Sequence, residues 1–290
     1  MLKTTYTPKA APRLDNTSTR RIYQAVRQAG NVSRADIVRT LDLTFPTILR
    51  VVANLIAAKV IKETETRRGG MGKSPTMLSI DPTHTYSLGV HWDREGASAT
   101  LVNALGECVH RESFSRASLE EGLVGLLETC GVGSGKLVAV NLTAAAPGHV
   151  ASDSLSRHLG VPITLSSTIS SSVKAERYFG PDQELDTFVY YEAQQGELGA
   201  ALGSTVLAYD GTFAALMALA GENPERLYMA LKAATSLLQA EALIVGGLAE
   251  RDLAKVQHQL PELPVKPASE QACDPSWAAA SAPLFDALSV

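Results

Sequence analysis

Apolar residues recur at helical spacing three times within the first 60 residues. Ile22, Val26 and Ala29 share one face of the first segment, which begins at Thr17 and stops before Gly30. Glycine is common just past a helix end, so this segment predicts a complete helix. Two further amphipathic segments follow, and only a short turn separates them. The pattern predicts three successive helices, the last two of them close together in space.

Capping residues mark where the second and third helices start. Ser33 is followed three residues later by Asp36, the spacing of a capping box. Thr44 is placed to cap the third helix, and Pro46 falls in its first turn, where a missing N–H costs nothing. The apolar face of the third helix predicts a set of core residues, which are Ile48, Val51, Val52, Leu55 and Ile56.

Two β-prone stretches, residues 60–66 and 76–80, flank the tip RRGGMGKSP. They predict a hairpin whose tip carries Arg67, Arg68 and Lys73, cations that contact phosphate or the minor groove. GGMGKS is also similar to part of a phosphate-binding loop. Arg67, however, stands where that motif needs its first glycine, and no strand-to-helix context follows. The hairpin is therefore interpreted as a wing.

Two helices joined by a tight turn and followed by a wing form the winged helix-turn-helix pattern. In it the third helix enters the DNA major groove with its N-terminal residues, which here are Thr44, Phe45, Pro46, Thr47 and Arg50. Threonine hydroxyls can bond base edges, the phenylalanine and proline can contact thymine methyls, and the arginine suits guanine or phosphate. The sequence predicts these five residues as DNA contacts.

The charge distribution supports a polyanionic partner for this end of the chain. Residues 1–80 hold 14 Lys/Arg and 5 Asp/Glu, a net charge of +9, whereas the remaining 210 residues have a net charge of −13. The chain is 45% hydrophobic, which excludes wholesale disorder. No apolar run is long enough for a membrane span and no signal peptide is evident, so we expect a cytoplasmic protein.

The rest of the chain alternates β-prone runs with helical patterns, which predicts an α/β sheet. We expect a basic arm at residues 1–16, the winged helix-turn-helix domain at 17–82 and an α/β domain at 83–290. Residues 196–203 are predicted to form a glycine-rich turn, and residues 261–267 a proline-rich loop. The predicted strands are 86–90, 98–102, 136–142, 163–165, 187–191 and 243–245.

Several long segments resemble the ROK family of repressors and sugar kinases. VSRADIVRTLDLTFPTILRVVANLIAAKVI and MGKSPTMLSIDP resemble the winged helix that precedes the kinase-like fold in the family's repressors. Further similar segments are YSLGVHWDREGASATLVNALGECV, HLGVPITLSSTISSSVKAERYFG, ALIVGG and ACDPSWAAASAPLFDAL. The resemblance implies an actin-like α/β domain after the winged helix, shorter here than in the family's repressors.

The resemblance also implies that the kinase chemistry is missing. His91 and Asp93 stand at the Asp and Gly positions of the family's phosphate motif, and an added carboxylate would repel phosphate. Ser167 and Thr168 stand at the family's sugar-binding Asn-Asp pair, and neither hydroxyl is a plausible general base. With Glu222 they are the candidate effector contacts. The family's zinc segments are not found, so no metal and no cofactor is expected.

The function expected from these observations is a sequence-specific regulator of transcription, a repressor of carbohydrate-related genes. It would bind double-stranded DNA at a palindrome as a homodimer, with a tetramer left open and a sugar or sugar-phosphate effector doubtful. The apolar start of the third helix keeps an alternative open, in which a protein-interaction or co-regulator module no longer reads DNA specifically. The third alternative is a sugar kinase, which the residues at 91 and 168 disfavour.

Overall fold

Three helices and a small antiparallel sheet form the N-terminal part of the chain. The computed structural model describes residues 16–65, 76–93, 96–115, 118–133, 135–144, 152–208, 211–221 and 223–288. The N-terminal elements are α1 (Thr17–Ala29), β1 (Val32–Ser33), α2 (Arg34–Thr40), α3 (Phe45–Ala57), β2 (Ile61–Glu65) and β3 (Thr76–Ile80). Strand β3 lies between β1 and β2 and is antiparallel to both. This is the arrangement predicted for a winged helix-turn-helix, with α3 as its third helix.

Side-chain caps explain where α1 and α2 begin. The Asn16 carboxamide oxygen accepts the Thr19 N–H at 2.8 Å, and Ser33 and Asp36 form the predicted reciprocal capping box. Each such cap stabilises a helix by about 1 kcal/mol. Helix α1 ends where Gly30 adopts a left-handed φ of 67°, as its position after the apolar pattern predicted.

Three details of these helices differ from the prediction. Thr44 occupies the N-cap position of α3, but its hydroxyl bonds the Thr47 hydroxyl at 2.9 Å and makes no bond to the backbone. Ala29 is exposed because it is the last residue of α1 and lies beyond the core. Ile56, near the end of α3, is only partly buried, whereas the other four predicted core residues of this helix are buried.

The first of two larger sheets has the strand order β6-β5-β4-β7-β8. Its strands are β4 (Tyr86–Trp92), β5 (Ala97–Asn103), β6 (Cys108–Phe114), β7 (Leu137–Ala144) and β8 (Ile163–Ser166). The helices that alternate with them are α4 (Leu119–Thr129), α5 (Ser152–Leu159) and α6 (Thr168–Phe179). Strands β4, β7 and β8 are parallel, so their carboxyl ends meet at one edge, where α6 also begins.

The second sheet has the strand order β11-β10-β9-β12-β13. Its strands are β9 (Thr187–Glu192), β10 (Glu197–Leu202), β11 (Thr205–Ala208), β12 (Ala242–Gly246) and β13 (Val265–Pro267). The accompanying helices are α7 (Gly211–Ala220), α8 (Pro224–Leu238), α9 (Glu250–Gln259) and α10 (Glu270–Cys273). Strands β9, β12 and β13 are parallel, which confirms the predicted mixed α/β architecture.

The last helix, α11 (Pro275–Leu288), packs against the first sheet and α6. Its inner side consists of small residues, and Ala278, Ala279 and Ala280 are completely buried. Opposite them lies Gly89 on the central strand β4, where a Cβ atom would overlap the backbone of α11. Small residues on both surfaces therefore allow the helix and the strand to approach closely.

Two predictions about irregular segments were wrong in part. Residues 196–203 contain the strand β10, and only Gly196 and Gly203 at its two ends have the left-handed backbone of turns. Residues 261–267 include β13, which extends the second sheet beside β12. Both strands were obscured because a glycine or a proline stands where a β-branched residue would normally mark a strand.

The N-terminal helices pack against the remainder of the chain through α1. Tyr23 and Val26 of α1 belong to one core cluster with Ala104, Tyr178 and Phe285. The Tyr23 hydroxyl lies 3.5 Å from the Ala104 carbonyl oxygen. The domain boundary after residue 82 stays a prediction, but a hydrophobic contact does join the two parts of the chain.

Candidate nucleic-acid interface

The solvent-facing side of α3 brings the predicted DNA contacts together. Phe45, Pro46 and Arg50 are exposed, and Thr44 is exposed just before the helix begins. Thr47 is half-buried beside Thr44. The opposite side of the helix faces the core, so α3 is held with its N-terminal half presented to solvent. All five predicted residues of this segment lie in one place.

The hydrogen bond between the Thr44 and Thr47 hydroxyls gives this end of α3 a fixed polar feature. Their oxygens are 2.9 Å apart, and either can be the donor. Each hydroxyl oxygen has a second lone pair free to accept another hydrogen bond. The pair can therefore meet the donor or acceptor groups of a base edge without first rearranging a backbone cap.

Sequence reasoning missed part of this surface. Leu49, Ala53, Asn54 and Ala57 are also exposed on α3, and none of them was predicted to face DNA. Leu49 follows Phe45 by four residues, which places the two side chains side by side on the helix. That spacing was available in the sequence, but the adjacent apolar pair Ile48 and Leu49 did not reveal which of the two faces outward.

The predicted wing is only partly described. Arg67, Arg68 and Lys73 lie outside the described residues. The strands that flank them, β2 and β3, are antiparallel and pair from Ile61 opposite Ile80 to Glu65 opposite Thr76.

Other cations of the N-terminal part differ in how strongly they are paired. Arg34 on α2 forms an ion pair with Glu63 on β2. Arg39 is mostly exposed and pairs with Asp36, one turn earlier on the same helix. Hydrogen bonds from Ser33 lower the pKa of Asp36, so this carboxylate is ionised beside Arg39. Exposed pairs of this kind are weak and leave the cation available to a phosphate.

Two of the three predicted effector residues, Ser167 and Thr168, lie at the start of α6. The Ser167 hydroxyl caps α6 by accepting the Ser170 N–H at 3.2 Å. Thr168 is buried as the first residue of the helix. Glu222 lies outside the described residues, so nothing places it near the other two.

A buried polar network surrounds this end of α6. The Asn141 amide nitrogen on β7 donates to the Ser166 hydroxyl at 2.9 Å and to the Ala279 carbonyl at 3.0 Å. Its oxygen accepts from Thr164 at 3.0 Å, and the Ser166 hydroxyl also bonds that of Ser171 at 2.9 Å. These bonds join β7, β8, α6 and α11, so the hydroxyl groups here hold the fold together.

The residues at the family's phosphate motif have structural partners. His91 is buried at the end of β4, and its Nδ1 lies 3.1 Å from the Thr143 hydroxyl. Burial lowers the pKa of His91, so the ring is neutral near pH 7. Asp93 accepts the Gly96 N–H at 2.9 Å and thereby closes the β4–β5 turn. Neither side chain is arranged to hold a phosphate.

The turn that corresponds to the family's nucleotide turn is filled by a carboxylate. A Cβ atom at Gly246 or Gly247 would overlap the carboxylate oxygens of Glu192. Glu192 is buried, the Tyr190 hydroxyl donates to it at 3.2 Å, and burial raises its pKa. A nucleotide phosphate approaching this turn would meet the Glu192 side chain where it needs space and positive potential. These residues do not fit a nucleotide.

Within the described ranges, no three His, Cys, Asp or Glu side chains converge in a way that could hold a metal ion. Nor is any helix in those ranges long and apolar enough to cross a membrane.

Several solved structures are similar to this fold. A crystal structure of a ROK family transcriptional regulator, a homolog of the E. coli MLC protein, superposes with a TM-score of 0.66 at 16% identity. It covers 93% of this chain and 96% of its own. The ROK hexokinase from Thermus thermophilus matches with a TM-score of 0.51 at 14% identity, covering 68% and 98% of the two chains. A ROK family protein from Streptococcus pneumoniae in complex with sucrose has a TM-score of 0.50 at 11% identity, covering 70% and 98%.

No protein-family model and no curated protein sequence matches the chain. The likeness therefore rests on structure, and the regulator matches a larger share of this chain than the hexokinase does, 93% against 68%. The chain has the fold of the ROK family, in the arrangement of its transcriptional regulator and with a shortened kinase-like domain.

Proposed function

We propose that this protein is a sequence-specific DNA-binding transcriptional regulator that acts in the cytoplasm as a repressor of carbohydrate-related genes. The observation that carries the proposal is the exposed N-terminal half of α3, with Phe45, Pro46 and Arg50 on one surface. This surface belongs to a segment with a net charge of +9 over residues 1–80. A helix end presented in this way enters the major groove in helix-turn-helix proteins.

The shortened kinase-like domain is proposed to have no enzymatic activity and no cofactor. Ser167 and Thr168 stand where a phosphoryl-transfer enzyme of this fold needs a base, and the first of them caps α6. Glu192 occupies the turn where a nucleotide would bind. We expect calorimetric titration with hexoses, amino sugars and their phosphates to show no micromolar binding. Micromolar binding of any of them would instead identify a sugar effector.

The kinase-like domain is instead proposed to join two copies of the chain. Among the large apolar side chains of the described residues, three are the most exposed. They are Leu219 on α7, which is 74% exposed, and Met229 and Leu237 on α8, which are 72% and 70% exposed. Helix α7 carries no charged residue. In a twofold contact the same surface patch of both copies meets, so an uncharged patch avoids repulsion between like charges.

Sedimentation velocity tests this contact. The double variant Leu219→Asp, Met229→Asp is expected to sediment as a monomer at concentrations where the unmodified chain is a dimer. Leu165→Asp is the matched control, because Leu165 is 67% exposed and lies on β8, at the edge of the first sheet. A dimer that survives the double substitution would remove this surface from the interface.

DNA binding itself is tested by selection from a random duplex library, followed by fluorescence anisotropy with the full chain. Arg50→Ala is expected to weaken binding to the selected sequence by roughly 1 to 3 kcal/mol if Arg50 contacts a base. Arg251→Ala on α9, another exposed arginine, is the control and should bind normally. Equal affinity for selected and unrelated DNA would overturn the proposal and favour the protein-interaction module, since exposed apolar residues on α3 also suit a protein partner.

A further inference from the structure

The exposed side of α3 is nearly uncharged. Seven residues of the helix are exposed, and Arg50 is the only charged one among them. The seven are Phe45, Pro46, Leu49, Arg50, Ala53, Asn54 and Ala57. A helix that served only as solvated surface would normally carry charged and polar residues there.

Three of these residues form a continuous apolar line. Phe45, Leu49 and Ala53 are each four residues apart, so they lie on one side of the helix. At 1.5 Å per residue the line is about 12 Å long. B-DNA rises 3.4 Å per base pair, so the line spans about three to four base pairs.

The core does not account for this line. Ile48, Val51 and Val52 already cover the hydrophobic cluster on the other side of α3 and are almost completely buried. Phe45 is 53% exposed and Leu49 is 40% exposed. Both therefore leave apolar surface in water, which a bound partner would cover.

The partner must combine a strong negative charge with an apolar group. The basic N-terminal segment favours a polyanion, and in the DNA major groove the thymine C5-methyl is the apolar group on a base edge. Thr44 and Thr47 at the start of α3 add hydroxyls for polar base groups. An apolar protein surface would satisfy the line but not the net positive charge of residues 1–80.

We propose that Phe45 and Leu49 determine specificity by contacting thymine methyl groups in neighbouring base pairs of each half-site. This inference rests on the proposed function and names the chemical group of the DNA that α3 recognises. It also adds Leu49 to the residues that face DNA. The half-site is then expected to contain A·T pairs at the positions that α3 covers, with thymine on a defined strand.

Uracil substitution tests the inference because deoxyuridine lacks only the methyl group and keeps the hydrogen-bonding edge of thymine. Each thymine of the selected duplex is replaced in turn, and affinity is measured by anisotropy with the full chain. We expect about a fourfold loss at each methyl that is contacted, the factor that corresponds to ~0.8 kcal/mol for one buried methylene-sized group.

The Leu49→Ala variant links the loss to the residue. At the position that Leu49 contacts, this variant should bind the thymine and uracil duplexes equally, while Phe45→Ala should show the same insensitivity at a neighbouring position. Asn54→Ala, on the same helix but off the apolar line, should keep the full response to uracil. Circular dichroism confirms that each variant is folded.

The outcomes separate this inference from the function on which it rests. If the selected duplex binds specifically but every uracil duplex binds as tightly as its thymine parent, methyl recognition is wrong and DNA recognition stands. If uracil weakens binding equally in the unmodified chain and in Leu49→Ala at all positions, Leu49 does not contact a thymine methyl. If no sequence is selected at all, the proposed function fails, and the inference fails with it.

Discussion

Replacing Arg27 should loosen the attachment of the N-terminal helices to the rest of the chain. Its guanidinium carbon lies 3.9 Å from the centre of the Tyr178 ring and 4.4 Å from that of Phe179, both at the end of α6. Its Nη2 also donates to the Tyr178 carbonyl oxygen at 2.9 Å. Burial lowers the pKa of Arg27, although an arginine remains a cation at neutral pH. One side chain thus joins α1 to α6 in three ways.

The magnitude follows from these contacts. Two cation–π contacts at a partly buried site contribute about 1 kcal/mol each. A hydrogen bond from a charged donor contributes about 1.5 to 3 kcal/mol. Removing the cation also removes the cost of burying it, which offsets part of this sum, so Arg27→Ala should lower the free energy of unfolding by about 2 to 3 kcal/mol. Arg27→Lys keeps the charge but loses the planar group, and we expect roughly half that effect.

Urea unfolding followed by tryptophan fluorescence measures this change close to the contact. The Trp277 indole N–H donates to the Gly106 carbonyl at 2.8 Å, and Gly106 packs against the Phe179 ring. Gln28→Ala is the control, because Gln28 is the exposed neighbour of Arg27 on the same helix. If Arg27→Ala unfolds at the same urea concentration as the control, the contact does not stabilise the chain and the reasoning is refuted.

Three further predictions test the packing, a buried carboxylate and the wing. Gly89→Ala should destabilise the chain by roughly 3 kcal/mol, since its Cβ would overlap the α11 backbone. Gly125→Ala, with no neighbouring atom within 4 Å, should instead stabilise α4 by about 0.5 to 1 kcal/mol. Thermal melting distinguishes the two variants. Burial raises the pKa of Glu176 in the folded chain above its ordinary 4.5. Between pH 4.5 and the folded pKa only the unfolded chain loses this proton, so the free energy of unfolding falls as pH rises. Glu176→Gln should remove that decline, which urea unfolding between pH 4 and 7 measures. If stability falls with pH equally in the variant and in the unmodified chain, Glu176 does not cause the decline. Replacing Arg67 and Arg68 by alanine should reduce the slope of log K against log salt by about 0.9 for each phosphate that the wing then leaves unneutralised, whereas an unchanged slope would exclude the wing from the interface.

Local chemistry made the N-terminal elements predictable. The Ser33 and Asp36 capping box appears as its spacing predicted, because both hydrogen bonds depend on residues three positions apart. Helix α1 ends at Gly30 for a similarly local reason. The strands of the two larger sheets were also predicted where apolar runs were continuous. The resemblance of longer segments to the ROK family predicted the order of the two parts of the chain.

The contacts that hold the candidate site in place were not predictable in the same way. Arg27 meets Tyr178 across 151 positions of sequence, and no periodicity links the two. The Glu192 carboxylate fills the turn at Gly246 only because β9 and β12 lie side by side. Thr44 was expected to cap α3, but a hydroxyl one turn away competes for its side chain. In each case three-dimensional neighbours determine the outcome.

Chromatin immunoprecipitation with sequencing tests the central claim, that this protein binds specific DNA sites through α3. The tagged full chain is compared with Arg50→Ala, expressed at the same level in the same cells. The account predicts a few sharp peaks that share a palindrome and that the variant loses or weakens. Diffuse or absent enrichment from a folded, expressed protein would contradict the account.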